Sequence, residues 1–295
     1  MSLFTGSGVA IVTPFLKNEV DYDALKRLIE WHIEEKTDAI IVFGTTGESA
    51  TLSMEEKKKI VEFTVKIAHK RTQIIAGTGT NDTKVSIELS KYAEKVGADG
   101  LLLITPYYNK PTQRGLYAHF KAISEHVSIP IILYNVPSRT GVNLLPETVL
   151  ELSKISQIRA IKEASADISQ IAKVIELVPK DFIVYSGNDD QTMPILALGG
   201  KGVISVTANI CPRLIHDQVL GYLNGDQKWV DSALKTRELH QVMFIESNPV
   251  PAKTALNLMG MIEKEVRLPL VSLEDKNLET LKSVLRKYQL IGDQK

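Results

Sequence analysis

The stretch from Pro130-Ile-Ile-Leu-Tyr-Asn-Val-Pro-Ser-Arg-Thr-Gly141 to Ile158-Arg-Ala-Ile-Lys-Glu-Ala-Ser165 decides the fold. Its two outer runs are apolar on consecutive positions, the pattern of parallel strands buried on both faces. Pro146, between them, suits the first position of a helix. The stretch is one strand–helix–strand unit, and the unit recurs. Strand-like runs also lie at Gly8–Val12, Ala39–Phe43, Gln73–Gly77, Gly100–Ile104, Phe182–Ser186 and Gly202–Val206. Helical stripes separate them: Leu25, Leu28, Ile29 and Ile33 after Asp21, then Ile60, Phe63, Val65 and Ile67. Ser53-Met-Glu-Glu56 reads as a capping box, and Val96-Gly97-Ala98-Asp99 as a helix stop. Eight such repeats over about 220 residues predict an α/β fold, a (β/α)8 TIM barrel. The rival, an open doubly wound sheet, normally has fewer strands and an early phosphate-binding glycine turn. After Asn209 the strand signal stops. Helices are expected at Leu214–Leu223, which closes the barrel, and at Lys228–Phe244, Ala252–Met261 and Leu278–Tyr288. The expected division is a barrel over 1–224 and a small C-terminal helical domain over 225–295.

Of the 295 residues, 44% are apolar and 24% charged, which excludes a disordered, collagen-like or coiled-coil chain. Lys plus Arg and Asp plus Glu are each 35, so the formal net charge is zero. Zero charge argues against a general nucleic-acid or anionic-membrane binder and removes a barrier to self-association. The single Cys211 excludes an intrachain disulfide and an all-cysteine metal site, and is read as packing. Met1-Ser-Leu-Phe-Thr-Gly6 has no basic segment before an apolar core, and no apolar run reaches membrane-spanning length. A cytoplasmic protein is expected.

In a barrel of this kind, chemistry gathers where strands end and loops begin. Those ends include Gly44-Thr-Thr-Gly-Glu-Ser49, Thr105-Pro-Tyr-Tyr-Asn109, Tyr134-Asn-Val-Pro-Ser-Arg139, Lys162-Glu-Ala-Ser165 and Ser186-Gly-Asn-Asp189. Lys162 closes a strand, and alternation sends Lys162 and Glu163 to opposite sides. An ammonium in an apolar interior loses hydration, which favours the neutral amine that attacks carbonyls and forms a Schiff base. The plainer alternative is a lysine whose head reaches water at the rim. Tyr134, Thr45 and Thr46 offer hydroxyls that pass protons without adding charge, or else pack and turn the chain. Arg139 offers a planar fork for a carboxylate, or is a surface charge. The six histidines form no metal-ligand cluster, and no phosphate-binding glycine loop follows a strand. The residues alone reach a barrel enzyme working through a lysine imine.

Gly44-Thr-Thr-Gly-Glu48, Tyr134-Asn-Val-Pro-Ser-Arg-Thr-Gly141, Lys162-Glu-Ala-Ser165 and Asn248-Pro-Val-Pro-Ala-Lys253, in that order and spacing, resemble the dihydrodipicolinate synthase family. The resemblance spans nearly the whole chain. It implies an enzyme of lysine biosynthesis that condenses pyruvate with L-aspartate-4-semialdehyde, with no metal or organic cofactor. By it, Lys162 would form the imine and Tyr134 would move protons through Thr45 to Tyr108. Tyr108 would reach into a neighbouring subunit, which implies a homo-oligomer, in the family a tetramer built as a dimer of dimers. Thr46 would hold the pyruvate carboxylate, Gly187 would leave room for substrate, Ile204 would lie beside it, and Arg139 would hold the second carboxylate. N-acetylneuraminate lyase and keto-deoxy sugar acid aldolases share the barrel and lysine but typically lack the arginine. A keto-acid sensor without turnover is the remaining alternative, and the intact set Thr45, Tyr108, Tyr134 and Lys162 argues against it. Where lysine-inhibited members carry polar ligands, this chain has Met54, Lys57 and Val85 beside matching Ser49, Ala50, Asn81 and Tyr107. Weak or absent lysine feedback is therefore expected.

Overall fold

Strands that are apolar on both faces need cover on both, and a sheet closed on itself leaves no edge exposed. The computed structural model, which describes residues 3–292, shows that solution. Its strands are β1 Gly6–Ala10, β2 Ala39–Val42, β3 Gln73–Ala76, β4 Gly100–Ile104, β5 Ile131–Asn135, β6 Ile158–Glu163, β7 Ile183–Ser186 and β8 Gly202–Ser205. All neighbours pair parallel, and β1 pairs with both β2 and β8, closing the barrel. The expected fold is the observed one. Met1 and Ser2 of the N-terminal reading, and the last three residues of the expected C-terminal domain, lie outside the described residues.

Each strand leads into a helix: α1 Tyr22–Glu34, α2 Met54–Ala68, α3 Thr83–Lys95, α4 Gln113–Ser124, α5 Pro146–Ser153, α6 Ile168–Leu177, α7 Thr192–Leu198 and α8 Pro212–Leu223. Local chemistry sets the ends. The Asp21 carboxylate accepts from Ala24 N at the start of α1, and the Ser53–Glu56 capping box forms at the start of α2. Beyond α8 come α9 Lys228–Lys235, α10 Arg237–Val242, α11 Val250–Leu258 and α12 Asp275–Lys287. The single helix expected over Lys228–Phe244 is broken at Thr236. The Thr236 hydroxyl bonds back to the carbonyls of Ser232 and Ala233 and accepts from Gln218 Nε2 at 3.1 Å, a competition that bends helices. A hairpin of Phe15–Leu16 with Glu19–Val20 was not expected, because two-residue strands carry no periodic signal. Lys17 and Asn18 both take positive φ in its turn, and Phe15 enters the core.

Two apolar layers result. Ile41, Ile75, Leu102, Ile132 and Ile204 fill the barrel interior, while Leu28, Ile60, Phe120 and Ile171 pack between strands and helices. The outer layer continues without a break through Val219 to Leu239, Leu256 and Leu285. Phe4, just before β1, stacks on Tyr185 with ring centroids 4.5 Å apart and accepts from its hydroxyl. The end of the barrel where strands begin is thereby filled, and open space is left where they finish.

Two histidines lie in the outer layer. His32 in α1 bonds Thr37 Oγ1, His119 in α4 bonds Thr83 Oγ1, and among the described residues the Nε2 of each is buried without a partner. Burial pulls their pKa values from 6.5 down to about 3 and about 4. Below pH 6.5 the unfolded chain therefore takes up protons that the folded chain refuses. Stability is full above that pH and falls as pH drops, by about 2 kcal/mol per histidine at pH 5. Urea denaturation between pH 7 and pH 5 should show this loss, and a His119→Gln variant should show a slope shallower by one proton. An unchanged slope would mean that His119 titrates normally in the fold.

Candidate active site

The turn after β2 is held tightly from several sides. Gly47 N donates to Gly44 O, Glu48 N to Thr45 O, and the Thr13 hydroxyl to Gly47 O at 2.8 Å. A Cβ on Gly47 would stand 2.9 Å from Phe43 Cα, so only glycine fits. Thr46 is buried and accepts from Asn248 Nδ2 at 2.9 Å. Glu48 takes a left-handed φ of +53° that turns its carboxylate inward. There Oε1 meets Lys253 Nζ at 2.6 Å and Oε2 accepts from Arg267 N at 3.0 Å. Both side chains of the Glu48–Lys253 pair are essentially without solvent contact, at 1% and 0%. The Lys253 ammonium sits 4.0 Å from the centroid of the Phe15 ring, and the Arg267 guanidinium 4.2 Å from it. Arg267 also grips both oxygens of Glu56, at 2.6 and 3.0 Å, and holds that carboxyl down to about 2. Burial pulls the Lys253 ammonium below its ordinary value, and Glu48 opposes the pull.

Across the barrel, β5 and β6 pair Tyr134 with Lys162 and Asn135 with Glu163. Lys162 is 5% exposed, and its Nζ stands 4.4 Å from the centroid of the Tyr134 ring. Among the described residues no carboxylate lies within 4.0 Å of Lys162, in contrast to Lys253. Glu163 points the other way, accepts from Asn135 Nδ2 at 3.1 Å and Ser165 N at 3.0 Å, and has its pKa raised by burial. Gly187, after β7, abuts the lysine: a Cβ there would come within 2.7 Å of Ala164 Cβ and 3.1 Å of Lys162 Cε. Ile204 in β8 belongs to the same inner cluster as Tyr134.

A cavity of about 330 Å³ reaches Tyr134 and has Thr45, Lys57, Tyr107, Arg139 and Asn248 in its wall, while Lys162, Gly187 and Ile204 are not part of that wall. Arg139 is solvent-exposed on the short helical turn Pro137–Thr140, which ends at Gly141 with φ +71°. Tyr108 is not in that wall. It is 89% exposed at φ +70°, on a loop anchored by Asn109 Nδ2 donating to Asn81 O. Among the described residues, no hydrogen bond joins Thr45 to Tyr134 or to Tyr108. The structure thus gathers Lys162, Tyr134, Gly187 and Ile204 inside the barrel and places Thr45 and Arg139 on the cavity wall. Thr46 lies behind the wall against Asn248, and Tyr108 stands apart. Among the described residues, no group of three or more His, Cys, Asp or Glu side chains is arranged to hold a metal. Cys211 is buried, its Sγ 3.4 Å from Thr207 O, and burial pushes its thiol pKa up.

The model of the dihydrodipicolinate synthetase family matches residues 3–288. The chain belongs to this family. A 4-hydroxy-tetrahydrodipicolinate synthase of Thermoanaerobacter sp. is 57% identical over 295 residues, covering 99% of both chains. The crystal structure of dihydrodipicolinate synthase from Aquifex aeolicus superposes with a TM-score of 0.97 at 47% identity, over 99% of this chain and 100% of that one. The Acinetobacter baumannii dihydrodipicolinate synthase, solved in complex with pyruvate, gives 0.95 at 46% identity, over 97% and 99%.

Asn248 and Lys253 stand in the motif Asn248-Pro-Val-Pro-Ala-Lys253, and their tasks show only in the folded chain. The available signal was a lysine inside the apolar run Val250-Pro-Ala-Lys-Thr-Ala-Leu256. In this family member, removing one partner of the Glu48–Lys253 pair strands a buried charge, at about 3–5 kcal/mol. Glu48→Gln and Lys253→Met should each lower stability by that order in guanidinium denaturation, and the double variant should recover much of the loss. Losses that simply add would show the two groups to be independent.

Proposed function

We propose that this chain condenses pyruvate with L-aspartate-4-semialdehyde to give 4-hydroxy-tetrahydrodipicolinate, in the diaminopimelate route to lysine. The observation that carries the reading is Lys162, buried at the strand end beside Tyr134, with no carboxylate within ion-pair reach among the described residues. The neutral amine attacks the pyruvate C2 carbonyl, and water leaves as the imine forms. Loss of a methyl proton gives the enamine, whose carbon attacks the aldehyde of the semialdehyde. The amine of that substrate then displaces Lys162 and closes the ring. Tyr134 and Thr45 pass the protons, with Tyr108 from a neighbouring subunit completing the relay. Thr46 receives the pyruvate carboxylate, Gly187 and Ile204 shape its space, and Arg139 receives the second carboxylate at the cavity wall. Every step runs on side chains and substrate atoms, so the reading calls for no cofactor.

The exposure of Tyr108 supports a shared site and hence a homo-oligomer, in this reading a tetramer as a dimer of dimers. The reading also includes a cytoplasmic location and a division into a catalytic barrel over 1–224 and a helical domain over 225–295. Among the described residues no helix is long and apolar enough to cross a membrane. Arg139 favours a carboxylate-bearing aldehyde over the sugar-like aldehydes of related aldolases.

Borohydride added with pyruvate should trap one pyruvate on Lys162, the adduct gaining two hydrogens and losing one water. Intact protein with no mass gain would sink the imine mechanism. A coupled assay should show turnover with aspartate semialdehyde and none with N-acetylneuraminate or keto-deoxy sugar acids. Feedback is the second test. Ser49, Ala50, Lys57 and Tyr107 share the wall of the same cavity, and Lys57 brings a like charge to any lysine ammonium there. Activity should persist at low-millimolar lysine, and a clear loss would refute the reading of Met54, Lys57 and Val85.

A further inference from the structure

Two contacts join the turn after β2 to the segment that opens α11. Asn248 reaches Thr46 at 2.9 Å and Lys253 reaches Glu48 at 2.6 Å, so residues two apart on the turn are gripped by residues five apart on the segment. The Lys253 pair fixes the distance between the two elements. The Asn248 contact settles a finer matter, the direction of one hydrogen. A threonine hydroxyl has one hydrogen to give and lone pairs to receive. Asn248 Nδ2 donates to Thr46 Oγ1, so it occupies a lone pair and leaves the hydroxyl hydrogen unspent. Thr46 makes no other side-chain hydrogen bond among the described residues, and its backbone N–H is likewise uncommitted. Asn248 Oδ1 is buried without a partner among the described residues, and the direction of the bond follows from Nδ2, not Oδ1, facing Thr46. Turned over, the amide would accept the Thr46 proton and remove a donor from the site.

We propose that Asn248 is a positioning residue that sets the polarity of Thr46, holding its hydroxyl as a donor toward the carboxylate of the keto-acid substrate. The inference rests on the reading above in which Thr46 receives that carboxylate. With Asn248 in place, Thr46 offers two donors, O–H and N–H, to an anion. With an acceptor in its place, the hydroxyl turns away and negative charge enters the pocket wall.

The test is the pyruvate concentration that half-saturates borohydride trapping, a readout independent of the second substrate, with thermal unfolding as the check on folding. The set is Thr46→Val, Asn248→Ala, Asn248→Asp and the double Thr46→Val/Asn248→Ala. Thr46→Val and Asn248→Ala should each raise the half-saturating concentration about 3–10-fold, the worth of one hydrogen bond. Asn248→Asp, equal in shape but unable to donate when ionised, should exceed Asn248→Ala by about tenfold or more. In the Thr46→Val background, Asn248→Ala should add nothing. A purely structural role for Asn248 predicts the opposite ranking, with Asp milder than Ala, and that ranking would overturn the proposal. So would normal pyruvate saturation in Asn248→Ala alongside a defect in Thr46→Val. Normal saturation in Thr46→Val would instead overturn the carboxylate role of Thr46 itself. Should the Asp variant not fold, the Ala variant and the double variant still decide.

Discussion

Parallel register in a closed barrel is the constraint from which the rest of this structure follows. Successive side chains alternate, so every residue facing the axis is followed by one facing the helices. The register of β5 with β6 therefore fixes two pairs at once, Tyr134 with Lys162 inside and Asn135 with Glu163 outside. The outer pair is hydrogen-bonded at 3.1 Å and joined to Asn143 and to Gln170 of α6. A slip of one residue would exchange the two sides, putting the carboxylate inside the barrel and the amine under a helix. The buried polar network behind the strands guards against that slip.

Two buried lysines show how environment divides one residue type between two tasks. Lys253 has a carboxylate at 2.6 Å and an aromatic face at 4.0 Å, and it joins a C-terminal helix to the barrel rim. Lys162 has an aromatic neighbour at 4.4 Å and no carboxylate within ion-pair reach among the described residues. A buried ammonium with its counter-ion is a strut. Among the described residues Lys162 joins no such pair, so no ion pair ties it to another element.

The barrel was legible because its signal is periodic. Consecutive apolar residues mark the strands, stripes mark the helices, and Ser53, Pro146 and Gly97 mark ends. The position of Lys162 at a strand end followed from the same pattern. What escaped was of two kinds. The Phe15–Val20 hairpin and the break at Thr236 are too short to alter a periodicity, the first being a two-residue backbone pairing and the second set by the bonds of one hydroxyl. Thr46 and Glu48 lie 202 to 219 residues from their partners Asn248, Lys253 and Arg267, and one sequence does not reveal which distant groups meet. The quoted motifs contain Glu48, Asn248 and Lys253 but not Arg267, and only the folded geometry shows what each of them touches.

The turn that carries Thr45 and Thr46 has almost no freedom left. Gly47 sits where a methyl group would collide with Phe43, Thr13 holds its carbonyl, and Glu48 is pinned by both Lys253 and Arg267. The conformational entropy of this loop is surrendered once, when the chain folds, and not again at each encounter with a ligand. Recognition at this rim is then a matter of rigid shape. Whatever meets this turn meets a shape already set, with no loop left to reorganise.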